Sequence, residues 1–252
     1  MSLLETILFH AWYGPVRRLF RAVLHRIYPW GATILSGPLK GWFFSGPELP
    51  CRLGIYELHV QHTLRELLRP GDVFYDLGAN NGYLSLLAAS CAGESGRVYS
   101  FEPLPQNVER IDQLMALNGV TNQQTIRQAV SGQAGEMQLY LGSEVESYTS
   151  SLIRNRRTSE ITVEVTTLND FAASHRPPDL IKMDVEGAEV QVLEGAGTLL
   201  SEHPPRHWLI EVHSPQLDRE VQRILGQYGY RIEGLTVPYA RKEYPRHLLA
   251  GI

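Results

Sequence analysis

Asp184, Glu211 and His213 close two apolar segments, "LIKMD" and "HWLIEVH". Read as buried strands, these segments deliver two carboxylates and an imidazole to their carboxyl ends. Side chains alternate along a strand, so Glu211 and His213 share a face. An imidazole with an ordinary pKa of about 6.5 can accept a proton at neutral pH. The same trio also suits magnesium or manganese. Either device activates a hydroxyl, one by removing its proton and the other by lowering its pKa. His213 as a base is the leading reading, and a divalent metal is the alternative.

A second set of polar residues lies upstream. "FYDLGANNGYLSLLAA", residues 74–89, begins as a strand, breaks at glycine and resumes as a helix. Gly78 and Gly82 permit positive φ and close approach of a ligand to the backbone, and the helix start offers unpaired N–H groups. Dinucleotide sites use G-x-G-x-x-G, whereas Asn80 and Tyr83 stand at the second and third glycine positions here. No Gly-Lys-Ser/Thr follows, which also disfavours a triphosphate. Asp76 ends the first strand and Glu102 the second. A carboxylate at Glu102 can accept both ribose hydroxyls, and an acid at Asp76 suits an ammonium. S-adenosylmethionine offers adenine, ribose, a sulfonium and an α-amino group, with no phosphate.

The surrounding pattern must position these groups. Strands are expected at 73–77, 97–101, 125–130, 137–141, 161–165, 180–184 and 207–213. Helices are expected at 56–68, 81–91, 104–118, 188–200 and 216–228, from apolar residues at helical spacing. Residues 230–233 and 247–252 read as a closing hairpin. This alternation predicts an α/β fold, a mostly parallel sheet in three layers, with ligands outside the strand carboxyl ends. Residues 1–54 read as an N-terminal helical extension and connector, and 55–252 as one domain. The polar stretch 142–160 reads as a mobile loop over the site, bringing Tyr148, Ser150 and Ser151 to the acceptor.

The 252 residues carry a formal charge of −4, which gives a nucleic-acid partner no general support. Cys51 and Cys91 are the only cysteines, so the expected compartment is reducing and cytoplasmic. The N-terminus lacks the order of a signal peptide, and no apolar run approaches the roughly 20 residues of a membrane span. Residues 3–27 form a basic amphipathic pattern interrupted by Pro15. That pattern suits packing on the domain or a second subunit, with peripheral contact to an anionic membrane as the alternative. His175, His203, His207 and His247 read as solvated or structural. Arg154, Arg156 and Arg157 read as a solvated face.

"DLGANNGYLSLLA", "VYSFEP", "LIKMDVEGAEVQVLEGAGTLL" and "LIEVH" together resemble the FkbM-type S-adenosylmethionine-dependent methyltransferases. The similarity runs from about Gly37 to the C-terminus, with "LGIYELHV" (53–60) as its lead-in to the first strand. It implies a Rossmann-like class I methyltransferase fold with a seven-stranded sheet, and O-methylation of a sugar, glycan or secondary-metabolite hydroxyl. It implies cofactor contacts at Tyr56, Glu57, Asp76, Gly78, Ala79, Asn80, Gly82, Tyr83, Glu102, Pro103, Asn107, Gln128, Ala129 and Asp184. Asn81 and Tyr83 depart from the small or apolar residues of the pattern. Glu186 and Glu189 lie where acids stabilise a helix start in any case, with Glu186 also a candidate acceptor contact. Two other classes remain open at this point: a nicotinamide oxidoreductase, and a non-catalytic cofactor-binding scaffold.

Overall fold

The computed structural model describes residues 2–13, 31–141, 150–151, 160–235 and 244–252. Ahead of the main sheet come α1 (Leu3–Tyr13), the short pair β1 (Ala32–Thr33) and β2 (Phe43–Phe44), α2 (Leu49–Leu53) and α3 (Leu58–Leu67). Then follow β3 (Val73–Leu77), α4 (Tyr83–Ala92), β4 (Arg97–Phe101), α5 (Pro105–Leu117) and β5 (Gln123–Ile126). A second sheet is inserted next, from β6 (Ala129–Val130), β7 (Gly135–Leu141), β8 (Ser150–Ser151) and β9 (Glu160–Thr166). The chain continues through α6 (Leu168–Ala172), β10 (Leu180–Met183), α7 (Glu189–Glu194) and α8 (Gly197–Glu202). It ends with β11 (His207–Val212), α9 (Pro215–Gln227), β12 (Arg231–Gly234) and β13 (Arg246–Gly251).

The main sheet has seven strands in the order β12-β13-β11-β10-β3-β4-β5. β11, β10, β3, β4 and β5 run parallel, and β13 is antiparallel to both of its neighbours. The strand order reverses at β3: later strands are added on one side through β4 and β5, and on the other through β10 and β11. Adjacent crossovers leave in opposite directions there, opening a crevice at the strand carboxyl ends.

Both faces of the central strands are covered, which is why they read as apolar runs instead of alternating. On one face Tyr75, Ile181, Met183, Trp208 and Ile210 pack with Val192, Leu199, Val221 and Leu225. On the other, Phe74, Val98, Leu180 and Leu209 pack with Val60, Leu64, Leu87, Ile111 and Leu114. Ile34, Leu39, Phe44 and Cys51, from the expected connector, join this second core. α1 packs through Phe9 and Trp12 on Leu49, Leu53, Ile55 and Leu58, leaving Leu3, Leu4 and Ile7 exposed. No helix among the described residues is long and apolar enough to cross a membrane.

Two sequence expectations change here. The single strand at 125–130 is two strands in different sheets. β5 stops at Ile126, the Gln128 amide turns back to the Ile126 carbonyl at 2.8 Å, and Ala129–Val130 pairs with β9. The single helix at 188–200 is divided into α7 and α8 around Gly195. A Cβ there would lie 2.6 Å from the Ser131 carbonyl oxygen, while Asn169 donates its amide to the Gly195 carbonyl and accepts from the Leu199 amide. Of the expected 142–160 loop, Ser150–Ser151 is a strand beside β7 and Glu160 opens β9. Residues 142–149 and 152–159, including Tyr148, Arg154, Arg156 and Arg157, lie outside the described residues, as does Pro15.

Candidate active site

The loop leaving β3 takes its shape from three left-handed residues: Gly78 (φ +78), Asn80 (φ +50) and Gly82 (φ +77). The Gly78 and Ala79 amides both donate to the Phe101 carbonyl at 3.0 Å, tying the loop to the end of β4. A Cβ at Gly78 would sit 1.9 Å from the Asp184 carbonyl oxygen. Glycine is therefore demanded twice there, by its φ and by the close passage of the segment leaving β10.

Beside this loop opens a cleft of about 630 Å³, counting its solvent-open part. It is lined by Gly78, Asn80, Glu102, Asn107, Gln128 and Asp184 among others. Pro103, Ala129 and Glu186 complete the sequence-predicted residues on its wall. Glu102 is 4% exposed. One of its oxygens accepts from the Asn80 amide at 2.9 Å and the other from the Leu104 amide at 3.0 Å. Burial is the main influence on this carboxyl and pushes its pKa up to about 7, against the opposing hydrogen bonds from Leu104, Asn80 and Asn107. With Asn107 as a third donor, three of the carboxylate's four lone-pair positions are taken, and one is oriented for a further donor.

Asp76 is not on this wall. It is 1% exposed, accepts from the Ser85 hydroxyl at 2.5 Å, and faces Lys182 Nζ at 3.6 Å. The reason is register: Lys182 on β10 stands directly beside Asp76 on β3. Lys182 also donates to the Gly78 carbonyl at 3.1 Å and lies 3.6 Å from Asp184. Burial alone would lower its pKa, but Asp184, Asp76, Glu57 and Glu211 outweigh that and hold it above the usual lysine value.

The acid and histidine cluster, which shares Asp184 and Glu186 with the cleft wall, is arranged differently from the sequence expectation. His213 Nε2 lies 3.4 Å from Glu186 and 3.8 Å from Asp184. Its Nδ1–H donates at 2.6 Å to Glu189, a fully buried side chain. Burial lowers the pKa of His213, yet the Glu189 bond and the Asp184 and Glu186 charges override it and raise the ring to about 9. Glu186 reaches this position on a left-handed backbone (φ +49). Glu211 turns instead to its cross-strand partner His247, 3.5 Å away. Burial, then the Asp184 and Glu57 charges, push the Glu211 carboxyl up to about 8.

The structure thus brings Asp184 and His213 together as expected, exchanges Glu211 for Glu186, and adds Glu189. It does not bring several of the other residues to the cleft. Tyr83 is fully buried, edge-on to Phe44 and Tyr56 at 5.7 Å. Ala79 is in the core, and Gly82 caps α4. Glu57 caps α3 and faces His247 at 3.8 Å. His247, read as solvated or structural, is 7% exposed and bonds His59 at 3.0 Å. Burial is the main reason both rings are pulled down to about 4. The one sequence signal for His247 was its place in the strand expected to close the sheet.

The tight passage at Gly78 has a measurable consequence. Gly119 also has positive φ (+65) but open space around a Cβ, so Gly119→Ala isolates the backbone strain. In urea unfolding, Gly78→Ala should destabilise the protein by at least about 1 kcal/mol more than Gly119→Ala. Equal losses would contradict the close approach.

The profile of the Methyltransferase FkbM domain matches residues 76–232, more than half of the chain and all of the cleft wall. None of the curated proteins compared matches. Among solved structures, the methyltransferase FkbM from Methylobacillus flagellatus KT superposes with a TM-score of 0.50 at 17% identity, covering 75% of this chain and 50% of that one. This chain thus corresponds to about half of that protein's length. The precorrin-6y C5,15-methyltransferase from Geobacter metallireducens GS-15 superposes with a TM-score of 0.51 at 13% identity, covering 79% of this chain and 91% of that one. Those similarities are of fold. Together with the domain match over the glycine loop, Glu102 and the "KMDVEGAE" block, they lead to one statement: the chain belongs to the FkbM family of S-adenosylmethionine-dependent methyltransferases.

Proposed function

We propose that this methyltransferase transfers its methyl group to oxygen, with a hydroxyl of a sugar, glycan or secondary metabolite as acceptor. The carrying observation is the charge of the cleft: Glu102, Asp184 and Glu186 line it, and no Lys or Arg does among the described lining residues. Such a wall repels a diphosphate and favours a ligand with cationic character. S-adenosylmethionine, when bound, supplies an electrophilic methyl group on a sulfonium. The residues present fit it. Glu102 has an oriented acceptor for a ribose hydroxyl. The bare backbone at Gly78 and Asn80 admits close contact, and Gln128, Ala129, Val130 and Leu139 form a less charged wall suited to adenine.

The acceptor end argues for oxygen. A hydroxyl must lose its proton as its oxygen gains the methyl group, and the Asp184 and Glu186 carboxylates are groups able to hold that proton; His213, raised to about 9, already carries its own at neutral pH. No Asn/Asp-Pro-Pro-Tyr sequence follows β10 to clamp an amide or a base amine. Alignment within the cleft supplies the rest of the rate.

Calorimetry should find tight binding of S-adenosylhomocysteine and none of NADH. Glu102→Ala should weaken binding about 10–100-fold, since hydrogen bonds to a charged group are lost. Burial pushes the Glu102 carboxyl up to about 7, and a hydroxyl donor favours its ionised form. Affinity should therefore fall as pH drops below 7, with proton release on binding near that pH. Affinity unchanged with pH across this range in wild type would contradict the ribose assignment.

Transfer of radiolabelled methyl across a panel of sugars, glycans and phenolic metabolites tests the acceptor. Label should appear in an ether linkage stable to mild base. Label confined to amine acceptors would overturn O-methylation, and label found only as base-labile methyl ester on carboxyl groups would overturn the hydroxyl acceptor.

A further inference from the structure

We propose that Asp184, Glu186 and His213 form a divalent-cation site, of the magnesium or manganese class, in which Glu189 orients the histidine. This deepens the O-methylation reading and rests on it for the site's purpose, though its binding can be tested alone. One ligand atom from each of the three residues lies within 4.8 Å of the other two. Two ligands about 2.1 Å from a common octahedral ion stand about 3 Å apart at right angles and about 4 Å apart across it. The His213 Nε2 separations of 3.4 and 3.8 Å fall between those values.

The imidazole distinguishes this group from a chance gathering of acids. Glu189 is a carboxylate and only accepts, so its 2.6 Å bond places the proton on His213 Nδ1. A bound cation would take the place of the Nε2 proton, leaving that nitrogen's lone pair to ligate it beside the two carboxylates. A buried carboxylate behind a ligating histidine is the outer partner that metal sites use to fix the ring. Glu189 is completely buried, and the same Oε1 that meets His213 also accepts from the Gly187 amide at 3.0 Å, which fixes the carboxylate in place. Among the described residues its Oε2 has no hydrogen-bond partner, and neither does Asp184 Oδ1, the atom that faces His213. Lys182 compensates Asp184 through the other oxygen, Oδ2, at 3.6 Å. Oδ1, which faces His213, is left for a cation. Glu211, engaged with His247, is outside the set.

Three protein ligands on an octahedral ion leave three positions for water and acceptor oxygens. Because Asp184 and Glu186 also line the cleft, the acceptor class favoured is one presenting two neighbouring oxygens, such as a vicinal diol. The ion would hold both oxygens and lower the pKa of the one methylated.

The probe is Mn²⁺ itself, added to the purified full chain without acceptor and followed by electron paramagnetic resonance. One equivalent should bind, be displaced by Mg²⁺, and show hyperfine coupling to an imidazole nitrogen. Glu186→Gln and His213→Ala should each weaken binding at least 10-fold. Glu189→Ala should weaken it about 10-fold. Absence of bound Mn²⁺ up to millimolar concentration, or binding without nitrogen coupling, would overturn the proposal without recourse to any variant. Wild-type affinity in both His213→Ala and Glu186→Gln would also overturn it. Calorimetry with S-adenosylhomocysteine in chelator separates the two readings. Retained cofactor binding with no Mn²⁺ binding removes only the cation site, and loss of cofactor binding counts against the methyltransferase reading instead.

Discussion

Lys182 carries a full charge into the centre of this fold, and the site is arranged around it. Its stem lies within β10, a strand otherwise made of Leu180, Ile181 and Met183. Its ammonium meets Asp76 from β3, Asp184 beyond the end of β10, and the carbonyl of Gly78 in the loop between β3 and α4. Taking such a charge out of water costs several kcal/mol unless partners surround it. Here one cation joins the two strand ends that form the switch point. It also allows two acids to stand close together beside the cleft. Without it, the carboxylates would repel one another across the crevice that the ligand must enter.

From that interaction the functional surface divides into two ends. At one, Glu102 is aligned by the Asn80 and Leu104 amides, which requires the left-handed turn at Asn80. At the other, Asp184, Glu186 and His213 converge because the chain after β10 makes a left-handed turn at Glu186 and His213 follows β11. The uncharged wall between them comes partly from Ala129, Val130 and Leu139, which belong to the second sheet. That insertion is therefore part of the site, not an ornament on the fold.

Much of this was legible in the sequence. The apolar runs at 73–77, 97–101, 180–183 and 207–212 can hardly be anything but buried strands. The spacing of Gly78, Gly82 and Glu102 marked the loop after β3 and the acid after β4 that the structure brings to the cleft. What escaped were features set by register and by rare backbone conformations. Asp76 looked available to a ligand, yet pairing β3 beside β10 turns it to Lys182. Glu211 and His213 looked like partners by alternation, yet antiparallel β13 presents His247 to Glu211. Glu186 replaced it only through a φ of +49, which no periodicity signals. Glu189 resembled an ordinary helix-start acid until its burial and its bond to His213 were visible.

The buried ammonium holds the two strand ends, and so the cleft, together. Equilibrium urea unfolding of Lys182→Met tests it most directly, because methionine keeps the apolar stem while deleting the charge. Removing one partner of a buried charged set leaves the others uncompensated, so the expected loss is about 3–5 kcal/mol. Wild-type stability in that variant would contradict the account, since Asp76 and Asp184 would then be shown to need no cation between them.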